Sequence, residues 1–179
     1  MANTNWTLEP SHSELHFKVK HMMISSVSGA FNNFDASIQA EENDFSSMQI
    51  SFSGNIDSID TKNKDRDAHL KSADFFDAAS FPTMDFKSTA ITKEGEDEYK
   101  VKGILTIKDV SHAVVLEAEG GQVINDPYGF ERTGFELKGK IKRSEFGLKW
   151  NQMTETGGVI ISDEVKIAAN VEFIKQKEA

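Results

Sequence analysis

The sequence predicts an all-β fold, an antiparallel up-and-down barrel of about eight strands carrying a short helical insert around residues 63–77. Three observations lead there. Strand-length runs alternate apolar and polar residues along the whole chain: Leu15, Phe17 and Val19; Met48, Ile50, Phe52, Gly54 and Ile56; Tyr99, Val101, Gly103, Leu105 and Ile107; Val165, Ile167, Ala169, Val171 and Phe173. Period-two patterning buries one face of a strand and wets the other. The aromatic inventory is skewed, with 13 Phe beside 2 Trp and 2 Tyr, so most aromatic surface lacks a polar handle and prefers burial. Connections between runs are short and local, which favours hairpins over crossover helices. Alternation alone leaves a two-sheet sandwich open beside the closed barrel.

Each element has its own signal. Trp6 to Leu8 starts a short strand broken at Pro10, and a longer one ends near His21. Met22, Met23 and Ile24 form an apolar hairpin tip or barrel edge. The next strand, Ser26 to Ala40, changes parity at Asn32-Asn33, as a β-bulge would make it do. Acidic residues 41–44 mark a turn before the Met48–Ile56 strand. Between Lys62 and Ala79 the pattern changes: Asn63 or Asp65 can cap a short helix through Leu70, followed by Phe75 and Phe76. Pro82 ends that insert, and Met84 and Phe86 resume strand spacing. Residues 94–97 and Lys108-Asp109 read as hairpin turns, and Asn125 to Gly129 as a loop. Phe135, Leu137, Gly139 and Ile141 line the next strand, where glycine permits curvature or spares interior volume. Met153 to Gly158 reads as a loop before a closing strand, Ser162 to Ile174.

Composition narrows the function classes. A chain of 179 residues is expected to form one domain, 1–179. Its net charge of -9 disfavours nonspecific attraction to nucleic acid or anionic membranes, while leaving room for a local basic patch. Without Cys there is no disulfide, thiol nucleophile or cysteine metal site. No basic and apolar leader is visible at Met1 to Trp6, so a cytoplasmic location is the expectation, or a periplasmic one for a processed form. No apolar stretch is long enough for stable membrane insertion.

Catalytic and metal signatures are weak. His12 and His16 share one strand parity and His21 the other, so joint zinc coordination would demand an irregular strand. Ser11-His12-Ser13 places candidate atoms on alternating faces, and no nucleophile elbow, phosphate loop or His-Glu-x-x-His helix occurs. Asp57, Asp60, Asp65 and Asp67 read as turn and capping residues. For Arg66 a local salt bridge is the leading reading. Arg143 shares the parity of Phe135 and Leu137, so it points inward or marks the rim; there an acidic partner leads over a ligand's head. Patterning leaves two interiors open, a filled core, slightly favoured, and a tunnel for an extended lipid.

Ordered motifs then add information. Trp6-Thr7-Leu8-Glu9-Pro10-Ser11-His12-Ser13, Leu15 to His21, Val27 to Phe31, Arg66-Asp67-Ala68-His69-Leu70 and Phe81-Pro82-Thr83-Met84-Asp85-Phe86 occur in sequence. Gly103 to Val110, Gly129 to Phe135, Arg143 to Trp150 and Ser162 to Ile167 follow. Together they resemble the YceI-like family of bacterial lipid- or polyisoprenoid-binding proteins, with Asp109 standing where Gly is familiar. The resemblance implies a lipocalin-like barrel holding an amphiphilic lipid, with no catalytic residues, metal or cofactor. The bound molecule would be an isoprenoid, a quinone-like lipid or a fatty-acyl lipid, held for storage or transport. By the same analogy Phe17, Val19, Phe31, Phe52, Phe76, Phe86, Leu105, Phe135 and Phe173 line the ligand site. His12, Arg66, His69 and Arg143 become headgroup or mouth contacts. A homodimer is compatible with the sequence, without a derivable interface. The competing readings are a soluble structural or stress-related barrel with no lipid, and an enzyme acting on an isoprenoid or acyl substrate.

Overall fold

The computed structural model describes residues 3–151 and 160–177. The loop expected over Met153 to Gly158 lies outside the described residues. Eight long strands form an antiparallel meander that closes on itself. Three of them are broken. Strand β1 runs Asn3–Leu8, is interrupted by a 3-10 turn at Pro10–His12, and resumes as Glu14–His21. Proline has no N–H for the ladder, and the Glu9 carboxylate accepts the His12 backbone N–H at 2.9 Å, which closes the turn. Strand β2 is Ser25–Phe31 followed by Phe34–Glu41, and β3 is Asp44–Asn55 followed by Ile59–Asp60.

The parity change at Asn32-Asn33 is thus a break between two half-strands. Across it the ladder is carried by Asn32 N–H to the Ser58 carbonyl (3.1 Å) and Asn55 N–H to the Asn33 carbonyl (2.9 Å). The remaining strands are β4 (Thr83–Lys93), β5 (Glu98–Ile107), β6 (Val110–Gly120), β7 (Glu131–Lys142) and β8 (Ile161–Lys175). Strand β8 closes the ring. One edge pairs with β7 from Lys142↔Glu164 to Arg132↔Ile174, and the other with both halves of β1. Closure removes the free sheet edges that an open structure would expose.

The helical insert sits between β3 and β4. Helix α1 (Lys64–Lys71) is capped by Asn63, whose Oδ1 accepts the Arg66 N–H at 3.0 Å. The Asp67 carboxylate accepts both the Thr61 N–H (2.9 Å) and the Thr61 hydroxyl (2.5 Å), pinning the helix to the end of β3. Beyond α1 the chain turns back so that Phe75 is buried and Phe76 half-buried.

The two ends of the barrel are built differently. At the end of the 42–43 and 94–97 turns, Trp6 packs on Phe45 (5.4 Å between centroids), Phe45 on Phe135 (5.3 Å) and Tyr99 on Phe135 (6.2 Å). All four rings are buried, so this end is a floor. The other end carries the Met22–Ile24 tip, α1 and the segment after β7. In the walls, glycine makes room for a neighbour. A Cβ on Gly139 would lie 2.4 Å from Leu116 Cδ2, and one on Gly29 2.3 Å from the Phe17 ring. Gly139 therefore spares interior volume, and Leu116 occupies it.

Candidate functional site

The barrel is hollow. A cavity of about 570 Å³ runs inside it, within the range of small-molecule sites. A filled core, slightly favoured by patterning, is not what these side chains build. The reason is geometric: most inward positions lie against the wall of an eight-stranded cylinder, and aromatic rings meet across its width at the floor, where Trp6, Phe45, Tyr99 and Phe135 converge.

All nine predicted lining residues face the cavity: Phe17, Val19, Phe31, Phe52, Phe76, Phe86, Leu105, Phe135 and Phe173. Along β8 the lining continues from Ile161 to Phe173, a twelve-residue step of about 40 Å, or about 30 Å along the axis at the usual strand tilt. Met48 lines the cavity on the face predicted for its run, and Phe34 lines it too. Other lining residues escaped the sequence reading. Leu116 lies on a strand and needed only the right parity. Phe75 and Trp150 lie outside the strands, where no periodicity points at a cavity.

The four polar candidates divide. Arg66 and His69 stand on α1 and reach the cavity at its mouth. Among the described residues Arg66 forms no salt bridge, where the sequence led us to expect one. Its Nε donates to the Thr61 hydroxyl (2.8 Å) and an Nη to the Thr61 carbonyl (2.7 Å), because Thr61 lies between it and Asp67. No bond to its second Nη occurs among the described residues. His69 Nε2 is 2.9 Å from Asp74 Oδ2, and its ring packs edge-on to Trp150 (4.6 Å) and Phe75 (5.1 Å).

Arg143 lines the cavity yet has a structural task, and the expected acidic partner is replaced by backbone. Its guanidinium donates to the carbonyls of Leu148 (2.6 Å), Trp150 (2.9 Å), Ser162 (2.9 Å) and Ile161 (3.2 Å). Four carbonyls satisfy a buried planar fork that one carboxylate would not. Burial lowers its pKa, partly opposed by the Asp163 charge. Asp163 is itself engaged elsewhere, accepting the Ser144 N–H (2.9 Å) and hydroxyl (2.8 Å). Arg143 thus ties the start of β8 to the Leu148–Trp150 segment and positions Trp150 at the mouth.

His12 is not at the mouth. It sits in the break of β1, 65 % exposed, with Nδ1 2.8 Å from Glu9 Oε2 and 3.5 Å from Glu172 Oε2. Glu172 adjoins Phe173 on the floor side of β8, so the broken strand carries His12 outside and away from the opening. Ser11 Oγ also approaches Glu9 (2.7 Å) and His12 Nδ1 (3.3 Å). A triad needs one ring nitrogen on the acid and the other on the serine, whereas here the same nitrogen faces both. Glu9, His12 and Glu172 are within metal-ligand reach of one another, at the surface.

A YceI-like domain family matches residues 6–173. The chain belongs to the YceI-like family. UPF0312 proteins of Staphylococcus aureus are 39 % identical over 171 residues, covering 95 % of this chain and 97 % of theirs. Among solved YceI structures, a Campylobacter jejuni YceI protein superposes with TM-score 0.76 at 36 % identity, covering 89 % of this chain and 90 % of that one. Burkholderia cenocepacia BcnA gives TM-score 0.78 at 25 % identity, covering 92 % and 98 %. A domain from Saccharophagus degradans described as polyisoprenoid-binding gives 0.71 at 13 %, a likeness of fold, covering 94 % and 97 %.

Proposed function

We propose that this YceI-like barrel binds a long-chain isoprenoid or comparable amphiphilic lipid, tail inward and head at the Arg66–His69 rim, for storage or transport. The observation that carries the reading is the apolar cavity itself, floored by tilted and edge-to-face rings and rimmed at the other end by polar groups. Removing a methylene from water contributes about 0.8 kcal/mol, so ten of them supply about 8 kcal/mol, the scale of a micromolar complex before ordering costs. Length favours an isoprenoid. An axis of about 30 Å matches the full hydrocarbon thickness of a bilayer, about twice the reach of a tail from one leaflet. The polyisoprenoid binding described for the Saccharophagus domain of the same fold supports the same choice.

The proposal is for binding without turnover, since the Ser11–His12–Glu9 cluster lies outside the cavity and lacks the geometry of a triad. Native mass spectrometry of freshly purified protein, with extraction and identification of any adduct, tests it. A repeatable one-to-one lipid adduct is expected. Protein that is consistently empty and also refuses long-chain amphiphiles would overturn the reading.

A further inference from the structure

A tail-binding barrel must exchange its cargo somewhere, and the outer surface at the mouth has two features that cargo binding does not require. The first is the tip of the β1–β2 hairpin. Met22, Met23 and Ile24 are 41, 64 and 81 % exposed. The Met22 N–H donates to the Ile160 carbonyl at 2.6 Å, and Ile160 and His21 line the cavity, so the tip stands at its mouth. Ile24 N–H bonds back to the His21 carbonyl, with Met22 and Met23 at φ 51° and 59°. Such a turn is ordinarily made by Asn-Gly, which adopts positive φ at little cost and is polar. Two methionines there run against both turn chemistry and solubility.

The second feature is charge. On the adjoining outer wall Lys18 lies directly opposite Lys166, which lies directly opposite Lys140. Like charges directly across a sheet are unfavourable. Lys20 and Lys142 continue toward the tip and Lys138 stands one row behind. Across these rows the six lysines meet Glu117 and Glu164, at 3.7 Å from Lys138 and 3.9 Å from Lys140. Lys18 and Lys166 have no ion pair among the described residues. At the floor end the turns are acidic, with Glu41, Glu42, Asp44, Glu94, Glu96 and Asp97. At the mouth end the acids Asp57, Asp60, Asp65, Asp67, Asp74 and Asp77 gather at the end of β3 and on the insert after it, across β2 from the lysine wall. A chain of net charge -9 therefore carries its basic patch beside its exposed apolar tip, at the open end of its cavity.

From this juxtaposition we infer that the mouth docks transiently on an anionic lipid bilayer, the Met22–Ile24 tip entering the headgroup region while the Lys18–Lys166–Lys140 wall meets lipid phosphates. Apolar residues plus adjacent lysines are what interfacial association needs. The acids of the floor and of the insert turn the molecule so that the lysine side of the mouth faces the membrane. This goes beyond cargo binding, and it is tested on the delipidated protein so that either can fail alone.

The test is flotation with vesicles of phosphatidylcholine, with and without phosphatidylglycerol. Binding to the anionic vesicles is expected at low salt, with loss in high salt, where screening shortens to a few ångströms. The double reversal Lys18→Glu/Lys166→Glu is expected to weaken it by at least about tenfold. Met22→Asn/Met23→Gly/Ile24→Ser installs a favoured turn, so its thermal midpoint should stay or rise while vesicle binding falls. Equal binding to both vesicle types, no binding to either, or full binding by the Met22→Asn/Met23→Gly/Ile24→Ser variant would overturn the inference; binding to neither vesicle would leave the exposed tip to a protein partner.

Discussion

The floor and the mouth of this barrel are made from the same kinds of strand and hold themselves together differently. At the floor, stability comes from four buried rings, and burial is so complete that Trp6 Nε1 has no hydrogen-bond partner among the described residues. At the mouth, rings have polar tethers: Trp150 through Arg143, which spans four backbone carbonyls, and His69 through Asp74. The difference teaches where each function resides. A sealed apolar base sets the depth of the cavity, whereas a tethered rim leaves an opening that polar groups can line.

The largest expected effect breaks the floor. Trp6→Ala should cost about 3–5 kcal/mol, because nothing can collapse into a closed ring of strands. Trp6→Phe should cost far less, since the indole N–H it deletes makes no bond; urea unfolding of the two variants separates ring volume from polarity. Next comes the mouth tether. Arg143→Ala strands several carbonyls, and about 2–4 kcal/mol is expected in the same assay, with a red shift of Trp150 emission as the segment loosens. A floor variant that shifted Trp150 emission as much would erase the distinction between the two ends.

A smaller effect sharpens the rim. Arg66→Ala should weaken binding of a lipid with an anionic head by about tenfold, the value of one charge-assisted hydrogen bond, and leave the same tail with a neutral head little changed. Competition titration with the two lipids reads the split. Equal losses would mean that Arg66 acts only through Thr61.

The smallest effect is acid sensitivity. The Ser11 hydroxyl and His12 lower the Glu9 pKa, and the Ser46 hydroxyl and N–H lower that of Asp44. The Phe130 N–H and Arg132 lower Asp126. For Asp163 burial pushes upward, but the Ser144 hydroxyl and N–H with Arg143 outweigh it. Each folded pKa lies below its unfolded value, so the stabilisation is present above about pH 4 and is lost as pH falls through the folded values. The thermal midpoint should be level in the neutral range and fall below about pH 4, with Asp126→Asn removing part of that fall. Glu9, Asp44 and Asp126 belong to the floor half and Asp163 to the mouth, so most of these acid-sensitive contacts hold the floor half.

The lining residues were legible for a physical reason: in a closed barrel, inward parity and cavity lining are nearly the same property. Phe17, Phe52, Phe86 and Phe173 could be named from alternation plus family likeness. The polar sites were less legible. His12 sits within two residues of Pro10, and only the course of the broken strand decides that it stands outside. The sequence pairs Arg143 with an acid, because backbone carbonyls delivered by a loop leave no mark on composition.

Alternating apolar runs, local turns and a capped insert determined the strands, their inward faces and the helix, because these depend on neighbours along the chain. Whether the enclosed space would be empty was decided only in three dimensions. Cavity volume depends on how far apart opposite walls stand and which rings meet across them, and residues as distant as Trp6, Phe45, Tyr99 and Phe135 share that floor through barrel closure alone.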